Sequence, residues 1–144
     1  MDTGHWKVYQ AVPEDAFGFI YEIVNTLNGK KYIGKKQMVK RIKRLPLKGK
    51  KRKRIDFVES DWKYYTGSSD KLNIDIASLG KEKFVFKIIR FCENKFELSY
   101  FEAKYQFDND VLLKEDYYNG IINCRIGKPP QKLLEQYYNK DNDA

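Results

Sequence analysis

The chain is poor in the residues that build most catalytic and metal centres. Its 144 residues include one histidine, His5, and two cysteines, Cys92 and Cys124, with no C-x-x-C spacing. Three such side chains cannot complete a four-ligand zinc site of the usual kind. Nothing around His5 makes a Ser-His or Cys-His nucleophile pair, and no GxxxxGK[ST] phosphate loop is present. The acidic residues show no paired-carboxylate pattern of a glycosidase, and there is no internal repeat. Long apolar runs are missing as well. No stretch of about 18 apolar residues exists, so no membrane-spanning helix is expected. Residues 1–10 lack the apolar segment of a secretory signal. The two cysteines are therefore expected to be reduced thiols in a cytoplasmic protein.

Acid is the other absence. Between Lys35 and Arg54 there are 12 Lys or Arg and no Asp or Glu. The whole chain carries +8, and outside that segment 16 bases face 20 acids. The basicity is one local element on a mildly acidic body. Such an element attracts polyanions, nucleic acid first. The plainer reading is a solvated loop that binds nothing specific.

What is present is the content of one ordinary domain: 42% hydrophobic and 15% aromatic residues, enough for a core. Residues 1–15 read as a lead-in, 16–128 as the domain with the basic segment at 35–54, and 129–144 as a tail. Gly18 to Lys36 reads as a β-hairpin. Phe19, Ile20, Tyr21, Ile23 and Val24 favour strand, Asn28-Gly29 is a two-residue turn signal, and the second strand is expected to stop at Gly34. Such a loop puts Tyr21 and Tyr32 on one sheet face, and a one-residue slip would reverse one of them. Arg41, Ile42, Arg44 and Leu45 are expected to form a short helix ended by Pro46. Leu47 to Arg54 is a basic arm whose Lys48, Lys50, Lys51, Arg52, Lys53 and Arg54, with Lys35 nearby, would neutralise phosphates and give salt-sensitive affinity.

Ser69 is an N-cap for a helix to Leu79, stopped at Gly80. Tyr64 and Tyr65 either pack under that helix or stack on bases. Phe84 to Phe91 is a central strand. Asn94, with Glu97 in capping-box position, opens a helix to about Phe107. On it, Leu98, Phe101 and Tyr105 form the apolar stripe, and Glu102 lies at its edge. A carboxylate there is partly desolvated, which costs free energy unless it is paired or coordinated. Pro129-Pro130 precede an amphipathic piece with Leu133, Leu134, Tyr137 and Tyr138.

Phe19-Ile20-Tyr21 followed by Tyr32-Ile33-Gly34 resembles the two signature tripeptides of the GIY-YIG nuclease superfamily. Phe19 stands where that family has glycine, and Gly18 lies one place earlier. YIGKK, LKGKKRKR, ESDWKYYTGSS and ELSYFEAKYQF resemble, more narrowly, the phage-encoded Seg-like homing endonucleases. The resemblance implies an α/β (α+β) fold, a three-stranded antiparallel sheet flanked by helices. It implies phosphodiester hydrolysis on double-stranded DNA with one Mg²⁺ or Mn²⁺ held by Glu102. Tyr21 or Tyr32 would orient or deprotonate water, and Asn119 or Asn123 would support the carboxylate. The family's phosphate-clamping arginine falls among Lys36, Arg41 and Arg44. Asn119-Gly120 is also a turn dipeptide, so Asn119 could serve only backbone. A double-strand cut by a single active site needs reorientation or a homodimer on DNA, and a phage-encoded protein would act in the host cytoplasm. Two other readings stand beside this one. One is a non-catalytic nucleic-acid-binding module that uses the arm alone. The other is an interaction domain that docks through its tyrosine-rich tail.

Overall fold

The computed structural model describes residues 2–123 and 125–142. Strand β2 (Gly18–Asn25) lies between β3 (Lys31–Gln37) and β6 (Phe84–Cys92), antiparallel to both. That is the expected three-stranded antiparallel sheet. A fourth strand, β1 (Trp6–Lys7), adds in parallel to the free edge of β6, giving the order β1-β6-β2-β3. Two residues are too short for an alternation to be legible in the sequence. Trp6 anchors them, with its ring against Phe19, Tyr21 and Phe86 and its indole N–H donated to the Trp62 carbonyl at 2.5 Å.

The turn between β2 and β3 is longer than the two-residue loop expected. Asn25 N–H donates to Lys30 C=O, and Gly29 N–H donates to Asn25 C=O, both at 2.8 Å. The loop is Thr26 to Gly29, with Gly29 at φ +76°. Two- and four-residue loops share a parity, so the face assignment survives the change. Tyr21 lies opposite Gly34 and Tyr32 opposite Ile23, which puts both tyrosines on one face. β3 also runs three residues past the expected stop at Gly34. Gly34 is a gap rather than an end, because a Cβ there would fall 2.5 Å from the Tyr21 hydroxyl oxygen.

Each face of the sheet has its own core. On one, Phe19, Tyr21 and Ile23 pack with Trp62, Leu72, Phe86 and Ile88 beneath α1 (Asp70–Leu79). On the other, Ile20 and Ile33 pack with Leu98 and Val111 of the layer holding α2 (Lys95–Asp108). The helix ends follow the sequence closely. Ser69 Oγ accepts the Leu72 N–H, and α1 stops at Gly80 with φ +98°. Asn94 Oδ1 accepts the Glu97 N–H at 2.8 Å, while Glu97 answers to Glu93 N–H, one residue before the cap. Glu97 also accepts a hydrogen bond from Tyr137 of α3 (Gln131–Asn142), so the tail docks on the start of α2. Gly18 shows why α2 comes so close: a Cβ there would meet Lys36 O at 2.6 Å and Leu98 at 2.9 Å. The glycine function is met one place before Phe19, which is itself fully buried in the aromatic core.

The expected helix at Arg41 to Leu45 does not form. Val39–Arg44 is strand β4, paired with β5 (Arg54–Glu59) in a separate two-stranded ribbon. Val39 and Ile42 are β-branched, and a partner strand further along the chain supplies the ladder. The Leu47 to Arg54 arm is thus the tip of a hairpin. Its root is tied to the main sheet by Met38 N–H on Phe17 C=O at 2.8 Å and Ser60 N–H on Met38 C=O at 2.9 Å. No helix among the described residues is long and apolar enough to cross a membrane.

Candidate active site

The candidate site is organised by the outer edge of β3. Even-numbered residues of β3 bond to β2, so Lys31, Ile33 and Lys35 point their backbone groups outward, where an edge strand needs partners. Lys31 and Ile33 find three such groups. The segment around Tyr117 pairs with Lys31 as a short parallel bridge, with Lys31 N–H on Asp116 C=O at 2.8 Å and Tyr118 N–H on Lys31 C=O at 2.7 Å. At Ile33 the side chain of Asn119 continues the ladder. Its Oδ1 accepts the Ile33 N–H at 3.1 Å and its Nδ2 donates to the Ile33 C=O at 2.8 Å. Gln106, one turn beyond Glu102 on α2, donates to the same carbonyl at 2.9 Å. At Lys35 the neighbouring group is the Glu102 carboxylate, whose charged form the Lys35 charge and backbone both favour.

Glu102 therefore reaches the β3 edge from the α2 layer, while the tyrosines lie on the opposite face. Its side chain is 15% exposed, and Lys35 Nζ stands 3.8 Å from Oε1. Burial raises its carboxyl above the ordinary range; the Lys35 charge and amide only partly offset this. Ser99, one turn earlier on α2, accepts from Lys35 Nζ at 3.2 Å.

Tyr21 and Tyr32 lie side by side, ring centroids 6.1 Å apart. They are not equivalent. Tyr21 is 1% exposed, wedged between Gly34 and Gly67. Tyr32 is partly exposed and shares a 3.0 Å hydrogen bond with Ser68 Oγ. Burial raises both phenols above their ordinary value, and the Glu102 charge adds to this in each case. Neither is a phenolate at neutral pH. Lys35 and Lys36 do not lower them as activation by neighbouring cations would require. Lys36 is engaged elsewhere, at 2.7 Å from Asp61 Oδ1 and 4.1 Å over the Tyr65 ring.

Beside Glu102 lies a cleft of about 550 Å³ lined by Lys35, Lys36, Lys40, Arg41 and Lys95, with Asp61 as its acid. The three candidate clamps separate here. Lys36 and Arg41 line the cleft, whereas Arg44 is on the ribbon's other face, ion-paired with Asp56 at 2.9 Å. The two candidate asparagines separate as well, Asn119 being buried and Asn123 exposed. Lys48, Lys50, Lys51, Arg52, Lys53 and Arg54 are all exposed on the arm and line no part of the cleft. Tyr65 packs on the core, while Tyr64 turns outward rather than lying under α1.

Ser68 and Gln106 are missed by sequence reasoning. Ser68 belongs to a turn-rich stretch with nothing to mark it. Gln106 had a signal, a polar residue at i+4 from Glu102 on a helix with a buried stripe. Cys92 is buried in the core, where its thiol is pushed up to about 12 by burial, so it is inert. Cys124 lies outside the described residues. Burial likewise lowers His5 to about 4, so it is uncharged at neutral pH.

Paired tyrosines on one face of an antiparallel hairpin, a helix carboxylate at its edge and a basic cleft beside it define a nuclease domain of the GIY-YIG class. The family described as "Putative endonuclease segE, GIY-YIG domain" matches residues 3–122. The chain belongs to that GIY-YIG endonuclease family. Comparison with curated proteins and with solved structures returned no match.

Proposed function

We propose that the protein is a divalent-metal-dependent endonuclease that hydrolyses phosphodiester bonds of double-stranded DNA, in the manner of phage homing endonucleases. The observation that carries the reading is the desolvated Glu102 carboxylate, with Lys35 Nζ 3.8 Å away as the first of five cations that line the neighbouring cleft. Among the described residues no cluster of three or more His, Cys, Asp or Glu could cage a metal. One carboxylate instead suits a hard cation such as Mg²⁺ that keeps most of its water and takes further oxygens from phosphate. Bound there, it supplies positive charge against the developing charge of the phosphate.

The chain's own residues do the rest. Lys35, Lys36 and Arg41 bind the backbone phosphates, and Arg41 has the fork geometry for a bidentate clamp. Tyr32 orients the attacking water through its hydroxyl. Burial keeps that phenol protonated at neutral pH, so it positions the water rather than deprotonating it. The water oxygen bonds to phosphorus as a P–O ester bond breaks; the attacking water gives up a proton to bulk water and the departing oxygen takes one from it. Tyr21 is the wedge that holds Tyr32, and Asn119 with Gln106 holds the strand. One such site lies among the described residues, so a double-strand cut calls for two copies or two visits.

The test is cleavage of supercoiled plasmid with Mg²⁺ and with EDTA, comparing the parent with Glu102→Ala. Nicking that needs the cation and is lost in the variant, while binding in EDTA persists, is expected. Intact plasmid with tight, salt-sensitive binding would instead make the domain a non-catalytic nucleic-acid binder.

A further inference from the structure

The β4–β5 ribbon has two faces of different character. Opposed residues of an antiparallel pair share a face, so the register sorts them. One face carries Lys40 opposite Val58, Ile42 opposite Asp56 and Arg44 opposite Arg54. Here the Arg44–Asp56 pair closes a cation against an acid. The other face carries Val39 opposite Glu59 at the root, then Arg41 opposite Phe57, then Lys43 opposite Ile55. Its one acid, Glu59, is taken by Lys63 Nζ at 3.5 Å and the Trp62 indole N–H at 3.1 Å.

Among the described residues, Arg41 and Lys43 have no ion-pair partner. Phe57 is 63% and Ile55 49% exposed. An unpaired cation beside an exposed hydrophobe occurs twice in succession along this face. Solvated loops have no use for the hydrophobes, and a protein-binding patch would not be flanked by a tip with five further cations and no acid (Lys48, Lys50, Lys51, Arg52, Lys53).

Building on the nuclease reading above, we propose that the Arg41/Phe57–Lys43/Ile55 face of the ribbon enters the major groove of duplex DNA. The dimensions fit. Six residues per strand span about 20 Å, and the major groove, about 12 Å wide, admits a two-stranded ribbon while the minor groove, about 6 Å wide, does not. The chemistry fits as well. Arg and Lys reach phosphates and guanine edges, and apolar side chains contact thymine methyls. The path is continuous, because Arg41 both belongs to this face and lines the cleft beside Glu102. The tip cations then close on phosphates at the far side of the groove. The ribbon thus supplies groove registration that the compact domain lacks, and sets where the cleft meets the strand.

The experiment is methylation interference with dimethyl sulfate on a short duplex bound in EDTA, where cleavage plays no part. Methylation of guanine N7, in the major groove, is expected to block binding. Interference confined to adenine N3, in the minor groove, or absent altogether would overturn the proposal, as would tighter binding to RNA of the same sequence. A second arm uses the full-length double variant Phe57→Ser, Ile55→Ser. Its affinity for the duplex in EDTA is expected to fall about tenfold, the scale of one or two good groove interactions; an unchanged affinity would overturn the proposal. The outcome also separates the two readings. An inactive protein with N7 interference keeps the ribbon in the groove and removes the nuclease. An active one without interference keeps the nuclease and removes the ribbon.

Discussion

Glu102, beside Lys35, and Arg41, which with Lys35 lines the cleft, owe their positions to different forces. Glu102 is held against the edge of another element. Lys35 Nζ faces its carboxylate at 3.8 Å, and Gln106 and Asn119 hold the same strand by the Ile33 carbonyl. It is desolvated, and its charge is costly in the free protein. Arg41 is fixed only by the cross-strand register of an exposed ribbon, and its charge is solvated. On the readings proposed above, the first region would serve chemistry at one atom and the second contact with a long charged surface. Substitutions should therefore act on rate in the first and on affinity and salt dependence in the second.

The largest effect is expected at Glu102. Glu102→Ala should lower single-turnover nicking by at least about 10²–10³-fold, the scale of removing one preorganised charge from a site, with duplex affinity in EDTA little changed. A comparable loss of affinity would dissolve the contrast between the two regions. Next comes Tyr32→Phe, which keeps the ring and removes the hydroxyl. About a 10²-fold fall in rate is expected for a misplaced water, with no fall in melting temperature. Tyr21→Phe, in the buried wedge, should move the rate less, and the reverse order would reassign the two roles.

Asn119→Ala should appear as stability. It strips two hydrogen bonds from the buried edge of β3 and costs about 1–3 kcal/mol, a fall of several degrees in melting temperature on the scale of about 2–4 °C per kcal/mol. Activity measured well below the transition should fall by less than for Glu102→Ala. A fall as large, with the fold intact, would move Asn119 from the strand into the chemistry.

On the arm, replacing Lys48, Lys50, Lys51, Arg52 and Lys53 by Gln should flatten the dependence of log K on log salt. The slope should drop by about 0.9 for each phosphate that is no longer neutralised. An unchanged slope would return the arm to a solvated loop.

The smallest effect is in pH. Burial raises the Glu102 carboxyl in the folded state, so there it holds its proton more tightly than in the unfolded chain. As pH rises from the ordinary carboxyl value of 4.5 through the higher folded-state value, this group subtracts from stability. Glu102→Gln should therefore raise the melting temperature at neutral pH while abolishing cleavage. Lys35→Gln removes a charge that lowers the carboxyl, so the acid limb of the rate profile should move to higher pH. A limb that stays in place would mean that another group sets it.

Local signals were legible wherever a single residue carries them. The caps at Ser69 and Asn94, the stop at Gly80 and the Glu102 position beside the stripe all follow from side-chain chemistry within one turn of chain. The shared face of Tyr21 and Tyr32 was legible for a less obvious reason. Face depends on loop parity and not on loop length, so a four-residue turn in place of a two-residue one left it intact. Failures came where a distant partner decides. Arg41 to Leu45 has a composition compatible with a helix, and only the ladder to Arg54–Glu59 makes it strand. Trp6–Lys7 is a strand only because β6 offers a free edge. Asn119 reads locally as half of a turn dipeptide, yet its carboxamide serves Ile33, 86 residues earlier.

The hairpin, the helix ends, the tyrosine pair, the edge carboxylate and the concentration of charge between residues 35 and 54 are thus written in the chain itself. Those properties depend on backbone periodicity and near neighbours. Three others come from the folded arrangement alone: which clamp candidates face the cleft, that Tyr21 is wedge while Tyr32 is reachable, and that Asn119 completes a strand. They arise there because an exposed strand edge must find hydrogen-bond partners wherever the fold brings them.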